Sequence, residues 1–216
     1  MNLERARTQM LEQQVRAWEV LNPRVLDAMA QVPREEFVPA RYRGVAFADT
    51  SIPLGLGQVM MAPKVEGRVL QALDLRPTDR VLEVGTGSGF LAACLAQLAA
   101  EVTSIEILPD LSQRAAGVLG RFAVPNVRLE VGDVYQAFPG QSYDAIAVTG
   151  SLPRYDTRFE QLLAPGGRLF VVVGLAPVME AMLVTRADAQ VWTRESLFET
   201  VIPPLRNAPT PSGFEW

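Results

Sequence analysis

The stretch LEVGTGSGF, Leu82 to Phe90, leaves one apolar run, turns on three glycines and enters another apolar run. Upstream, Arg80-Val-Leu-Glu-Val84 has the pattern of a short buried strand, and downstream Ser88–Ala99 has that of a helix, so the glycines fall at a strand-to-helix turn. In that setting Gly85 and Gly87 allow a tight bend and a close approach to a ligand, and Gly89 is expected to let the helix pack against the strand. The same composition continues outward. Glu101–Ile105, Val127–Val131, Tyr143–Thr149 and Arg168–Val173 read as strands, with Pro109–Phe122 as a helix. Apolar strands alternating with helices predict an α/β fold, a Rossmann-like doubly wound and mostly parallel sheet covered on both faces. Met182–Arg186 and Trp192–Val201 follow without a helix between them and are expected to add an antiparallel hairpin at the edge.

The ligand is narrowed by acids. A dinucleotide fingerprint would place its third glycine one position later than Gly89. Glu83, at the end of the first strand, would repel a pyrophosphate and attract an ammonium. S-adenosylmethionine carries that ammonium, a carboxylate suited to backbone N–H groups at the turn, and no phosphate. Glu106 ends the next strand, placed to accept hydrogen bonds from ribose hydroxyls, and Asp133 after the third strand is placed to reach an adenine amino group. Thr86, Ser88, Ile107, Gly132, Val134 and Thr149 complete the expected cofactor-binding set. Three acids at three successive strand ends, with E-x-G-x-G-x-G, point to a class I methyltransferase rather than to a dehydrogenase.

The N-terminal third reads differently. Leu3–Val20 is expected as one helix, and Asn22-Pro23 as the cap and first turn of a second, to about Gln31. Pro33, Pro39, Pro53 and Pro63 break the segment from Val32 to Ala62 into loops and short pieces, before a helix over Lys64–Leu73. Residues 1–205 are thus expected to form one domain, with 1–78 a helical and looped extension on the substrate side, 79–205 the cofactor-binding sheet, and 206–216 an irregular tail.

Composition removes other classes. The net charge of -4 offers no broad basic field for nucleic acid. No apolar run approaches the ~20 residues of a membrane span, and MNLERARTQMLEQQV has no apolar leader pattern. A single cysteine, Cys94, within an apolar run, reads as a buried thiol and fits a cytoplasmic protein. Zero histidines remove the commonest base and metal ligand, and no metal site is expected.

The chain resembles the protein-L-isoaspartate O-methyltransferases from about Thr8 to Leu205. The resemblance rests on Val32-Pro-Arg with Phe37-Val-Pro39, on Ile52-Pro-Leu-Gly55 with Gly57-Gln58, and on Val81 through Gly89. Tyr143 through Thr149, Ala164-Pro-Gly-Gly-Arg-Leu169 and Ile202-Pro-Pro-Leu205 extend it, the last resembling the family's closing strand. It implies methyl transfer from S-adenosylmethionine to the free carboxylate of isoaspartyl residues in proteins or peptides, a protein-repair role, and a monomer. A carboxylate acceptor is already ionised near neutral pH and needs no base, which suits a chain without histidine. Catechol or phenol methylation, which recruits a metal or base, fits less well.

One departure stands out. Where the family has Gly-Gln-Thr-Ile-Ser, with the serine contacting the acceptor carboxylate, this chain has Val59, Met60 and Met61 after Gly57-Gln58. The family's Thr-Ala-Ala after the fourth strand is Thr149-Gly-Ser151, so Ser151 is a candidate replacement hydroxyl. Either the methionines pack and backbone groups hold the carboxylate, or the pocket suits an apolar acceptor. A methyltransferase with another acceptor and a non-catalytic cofactor-binding protein remain the alternative readings.

Overall fold

Residues 2–210 are described by the computed structural model. The glycine turn follows β3 (Arg80–Val84), whose Val81 faces one core while Leu82 and Val84 face another on the opposite side of the sheet. Alternate side chains of a strand point to opposite faces, so an apolar run such as this one is stable only where both are covered. Seven strands lie in that sheet. To one side of β3 are β4 (Glu101–Glu106) and β5 (Val127–Val131). To the other are β6 (Tyr143–Leu152), β7 (Leu163–Leu175), β8 (Val178–Asp188) and β9 (Val191–Glu199). β3 through β7 each pair in parallel with their neighbours among those five, and β8 and β9 add the antiparallel edge hairpin that their sequence predicted. The chain winds outward from β3 through β5, then returns to place β6 beside β3. In such sheets ligands bind at the carboxyl ends of the strands where the winding reverses.

One face is covered by α4 (Pro63–Leu73), α5 (Phe90–Leu98), α6 (Pro109–Arg121) and the N-terminal helices, through a core that includes Val69, Leu95 and Leu119. Val65, Val69 and Leu73, four residues apart, share the buried face of α4. The other face is covered by Tyr135, Phe138 and Phe159, the last from α7 (Thr157–Gln161). Cys94 is buried in the first core, and burial pushes its thiol well above the ordinary range.

The N-terminal region departs from its expected outline. The single helix predicted over Leu3–Val20 is α1 (Leu3–Met10), followed by a π turn at Leu11–Val15 and a 3-10 turn at Arg16–Trp18. In an α-helix residues five apart lie about 140° apart, so Met10 and Val15 would face different ways. The widened turn brings residues five apart together, and both side chains are fully buried. α2 (Pro23–Gln31) begins as predicted, with Asn22 accepting from the N–H of Arg24. After α3 (Arg34–Phe37) come a 3-10 segment, Ala40–Val45, and a hairpin of β1 (Ile52–Gly55) and β2 (Gln58–Met60). That hairpin was hidden in the sequence by Pro53, which a short two-stranded ribbon tolerates.

The closing strand expected at Ile202–Leu205 is a single bridge, Pro204 to Ser151, because two adjacent prolines have no N–H for a ladder. Residues 206–210 contain neither helix nor strand, and the rest of the expected tail lies outside the described residues.

Candidate functional site

The turn after β3 is fixed from the strands on either side of it. The N–H of Gly85 donates to the Ile105 carbonyl at 2.8 Å, and the Thr149 hydroxyl donates to the carbonyls of Val84 and Gly85 at 2.9 and 2.7 Å. Gly85 sits at φ +104°, and a Cβ there would lie 2.4 Å from the Thr149 hydroxyl, so the position needs glycine twice over. Gly89 is different from its sequence reading. Its close neighbour is Ala115 of α6, 3.0 Å from an added Cβ, so it permits helix-to-helix rather than helix-to-strand approach.

A cleft opens at the carboxyl ends of β3, β4, β5 and β6. Of the residues expected around a cofactor, Gly85, Gly87, Glu106, Ile107, Gly132, Asp133, Val134 and Thr149 line it. The Glu106 carboxylate accepts from the N–H of Gly87 at 2.9 Å and of Leu108 at 3.0 Å, one on each oxygen. Each oxygen retains a lone pair for a further donor. Asp133 accepts from the Tyr135 N–H on one oxygen and from the Asn207 side chain, at 2.8 Å, on the other.

Glu83, Thr86, Ser88 and Met61 line a smaller cavity joined to the cleft at Val59, Gly85, Gly87 and Thr149. Glu83 is fully buried. One of its oxygens accepts from the Ser104 hydroxyl, which commits Ser104's only proton, so Thr86 donates to Ser104 across 2.6 Å. The other oxygen, Oε1, is buried with no partner. Burial is the main reason its carboxyl is pushed up to about 8, against the pull of Ser104 and with Glu106 and Glu66 adding to the push. An unpartnered buried carboxylate oxygen is costly in isolation and is a ready receptor for a cation. The residues present therefore fit a cofactor with an ammonium at this depth.

The acceptor side holds a surprise. Met60 and Met61 are 3% and 6% exposed and belong to the main core. The cavity beside Met61 has about 30 Å³, too little for an aromatic ring. Ser151 is set apart from both cavities. It is fully buried in β6 and its hydroxyl donates to the Ile202 carbonyl at 3.2 Å, which corrects the expectation that it replaces a missing pocket hydroxyl. Among hydroxyls lining the cavity, those of Thr86 and Thr149 donate to protein oxygens. Ser88 accepts from the Phe90 N–H at 3.2 Å, leaving its own proton available.

Sequence reasoning missed what holds this side in place. Arg34 is fully buried and donates to the carbonyl of Ala46 at 2.8 Å, to that of Met61 at 2.7 Å, and to Glu66. Its guanidinium lies over the Phe90 ring, 4.8 Å from the centroid. One planar cation thus ties α3, the loop at Ala46, the chain after β2, and α4 together. Burial pushes the Glu66 carboxyl up to about 7, while Arg34 pulls it down. The only sequence signal was its place in the Val32-Pro-Arg motif, where two glutamates follow it as in an ordinary solvated charge cluster.

The protein-L-isoaspartate(D-aspartate) O-methyltransferase family model matches residues 5–206. The chain belongs to that family. A Methanoculleus marisnigri protein-L-isoaspartate O-methyltransferase is 40% identical over 190 residues, covering 88% of this chain and 86% of that protein. Protein-L-isoaspartate O-methyltransferase 1 of Rhodopseudomonas palustris is 39% identical over 201 residues, 92% of this chain and 82% of the relative. Among solved structures, a Plasmodium falciparum protein assigned to the same methyltransferases, crystallised with S-adenosyl-L-homocysteine, superposes with a TM-score of 0.81. It is 21% identical, covering 93% of this chain and 98% of that one, and supports the fold. The family match ends one residue before Asn207, so the contact from Asn207 to Asp133 lies beyond it.

Proposed function

We propose that this chain transfers a methyl group from S-adenosyl-L-methionine to the free carboxylate of isoaspartyl residues in proteins and peptides, as a step in protein repair. The observation that carries the cofactor is the unpartnered buried oxygen of Glu83 beneath the glycine turn. Glu83 would meet the ammonium, Glu106 would accept from the ribose hydroxyls with its free lone pairs, and Asp133 would face the adenine amino group. Gly85 and Gly87 allow the backbone to lie against the ligand. The cofactor supplies an electrophilic methyl on a sulfonium. An isoaspartyl carboxylate, already ionised at neutral pH, needs no base, and the chain contains no histidine to act as one. Its contribution is alignment of two partners in a narrow space. On the acceptor side Ser88 keeps a hydroxyl proton, and Arg34 fixes the main chain at Met61. A cytoplasmic setting suits the single buried thiol, and no helix among the described residues is long and apolar enough to cross a membrane.

The test is release of S-adenosylhomocysteine with an isoaspartyl peptide and with its matched aspartyl peptide. Turnover on the isoaspartyl peptide alone is expected. Equal turnover on both, or none on either while the cofactor still binds, would overturn the acceptor assignment.

A further inference from the structure

A second concavity, of about 400 Å³, runs between α6 and the segment from Glu36 to Arg43. Its walls are apolar, with Phe37, Val38, Leu54 and Val118 among them. Its charged lining is one-sided. Arg43, Arg114 and Arg121 face a single carboxylate, Glu36, in a chain whose net charge is -4. Arg43 and Arg121 share one Glu36 oxygen, at 3.0 and 3.6 Å, and Arg114 uses one nitrogen on the Leu54 carbonyl at 3.0 Å. A guanidinium has five N–H donors, so each arginine retains donors for another acceptor. Three such forks around one acid leave the groove with a surplus of two positive charges.

The groove is also in the right place. It shares Gly87 and Leu111 with the wall of the cofactor cleft, and Gly87 and Ser88 with that of the cavity beside Met61. That cavity, about 30 Å³, leaves no room for the chain around a reacting group. A polypeptide whose reacting residue is seated there must continue somewhere, and the groove lies across Gly87 and Ser88 from it.

We infer that this groove takes an acidic segment of the polypeptide flanking the methylated residue, carboxylates on the arginines and stems against the apolar wall. The inference rests on the isoaspartyl reading for which residue is methylated. Planar guanidiniums favour carboxylates through paired hydrogen bonds, and the aliphatic floor favours a peptide over a free anion. A longer polyanion such as a nucleic acid would meet an acidic protein beyond the groove.

The experiment uses fluorescence anisotropy with the protein saturated in S-adenosylhomocysteine. Labelled isoaspartyl peptides carry either two glutamates or two glutamines, placed before or after the isoaspartyl residue. With acid on one of the two sides, binding should be about fivefold tighter than for the glutamine peptide at low salt, since exposed pairs contribute modestly, and the preference should shrink as salt is raised. The responding side gives the direction of the chain. In the double variant Arg43→Gln, Arg121→Gln the preference should vanish while binding of the glutamine peptide stays the same. Both side chains are about half exposed, so the fold should hold, with the melting temperature as the check. Conversely, Glu36→Gln frees both arginines and should tighten the glutamate peptide about twofold. Equal affinity for glutamate and glutamine peptides in the native chain, or a preference that survives the double variant, overturns the inference. Anisotropy needs no turnover, so failure of the groove and failure of the isoaspartyl reaction are read separately. A neutral isoaspartyl peptide that is methylated without any charge preference sinks only the groove.

Discussion

At the carboxyl ends of β3, β4 and β5, each side chain that shapes the cofactor cleft sits within a few residues of the strand that places it. Across the cleft, the chain at Met61 is held by Arg34, which reaches it from 27 residues away while also gripping Ala46 and Glu66. The first side is local geometry, a strand end and a glycine turn repeated with an acid each time. The second is tertiary, and its key group touches neither ligand. Mutations on the first side should therefore act on cofactor binding, and mutations on the second on the acceptor.

The largest effect is expected from Gly85→Ala. A side chain at φ +104° and 2.4 Å from the Thr149 hydroxyl forces the turn to move, and strain of about 1–3 kcal/mol plus a blocked cleft should weaken S-adenosylhomocysteine binding about a hundredfold in calorimetry. Intact affinity would mean that the turn is not where the cofactor lies. Next is Glu83→Gln, expected to weaken the same binding about tenfold, as loss of a charged hydrogen-bond partner does.

Glu83 also predicts a pH signature. Its carboxyl is raised from 4.5 to about 8 in the fold, chiefly by burial. The folded chain then holds this proton more tightly than the unfolded chain does. The resulting stability is fully present below the unfolded value and is lost as pH rises through the folded one. Without cofactor the native protein should melt lower at high pH than at low pH across that window. Cofactor affinity should run the opposite way, rising with pH as the carboxylate forms. Glu83→Gln should flatten the affinity slope and reduce the stability slope, of which Glu66, raised to about 7, keeps its own share; an affinity slope that persists in the variant would move the titration to another group.

Arg34→Lys sharpens the comparison from the other side. One ammonium cannot hold two carbonyls and a carboxylate in the geometry of a guanidinium. The peptide KM should rise about tenfold, the loss of roughly one hydrogen bond to a charged group, while cofactor affinity changes less than about twofold. Equal losses in both would show that Arg34 merely stabilises the fold. The smallest change is expected from Asn207→Ala, which removes a 2.8 Å contact with Asp133. Cofactor dissociation should quicken about fivefold in stopped flow, the worth of one hydrogen bond; an unchanged rate would show that this contact does not hold the cleft closed.

The sequence made the two sides unequally legible for the same physical reason. Glycines with positive φ, β-branched strand runs and acids at strand ends are constraints that each residue satisfies near its own position, so Glu83, Glu106 and Asp133 could be placed without coordinates. The edge hairpin of β8 and β9 was legible for the same reason. Arg34, Met61 and Ser151 were not, because the direction of each side chain is set by segments far along the chain. The methionines illustrate it best. A missing hydroxyl suggested a remodelled pocket, yet Met60 and Met61 are buried in the main core while also lining the small cavity. The π turn after α1 escaped for a related reason, since only the completed core decides that Met10 and Val15 must face the same way.

The roof of the cleft is made late in the chain. Pro204, Leu205 and Arg206 line it, Arg206 donates to the Leu56 carbonyl at 3.2 Å, and the Leu205 N–H donates to the Ser151 carbonyl at 2.9 Å. During synthesis from the N-terminus, the sheet and the glycine turn can form while these residues have yet to be made. A nascent chain can therefore fold most of its core and still have an open cleft. The cofactor site is completed only once residues 204–206 have been made, and a nonsense codon before residue 204 would remove its roof.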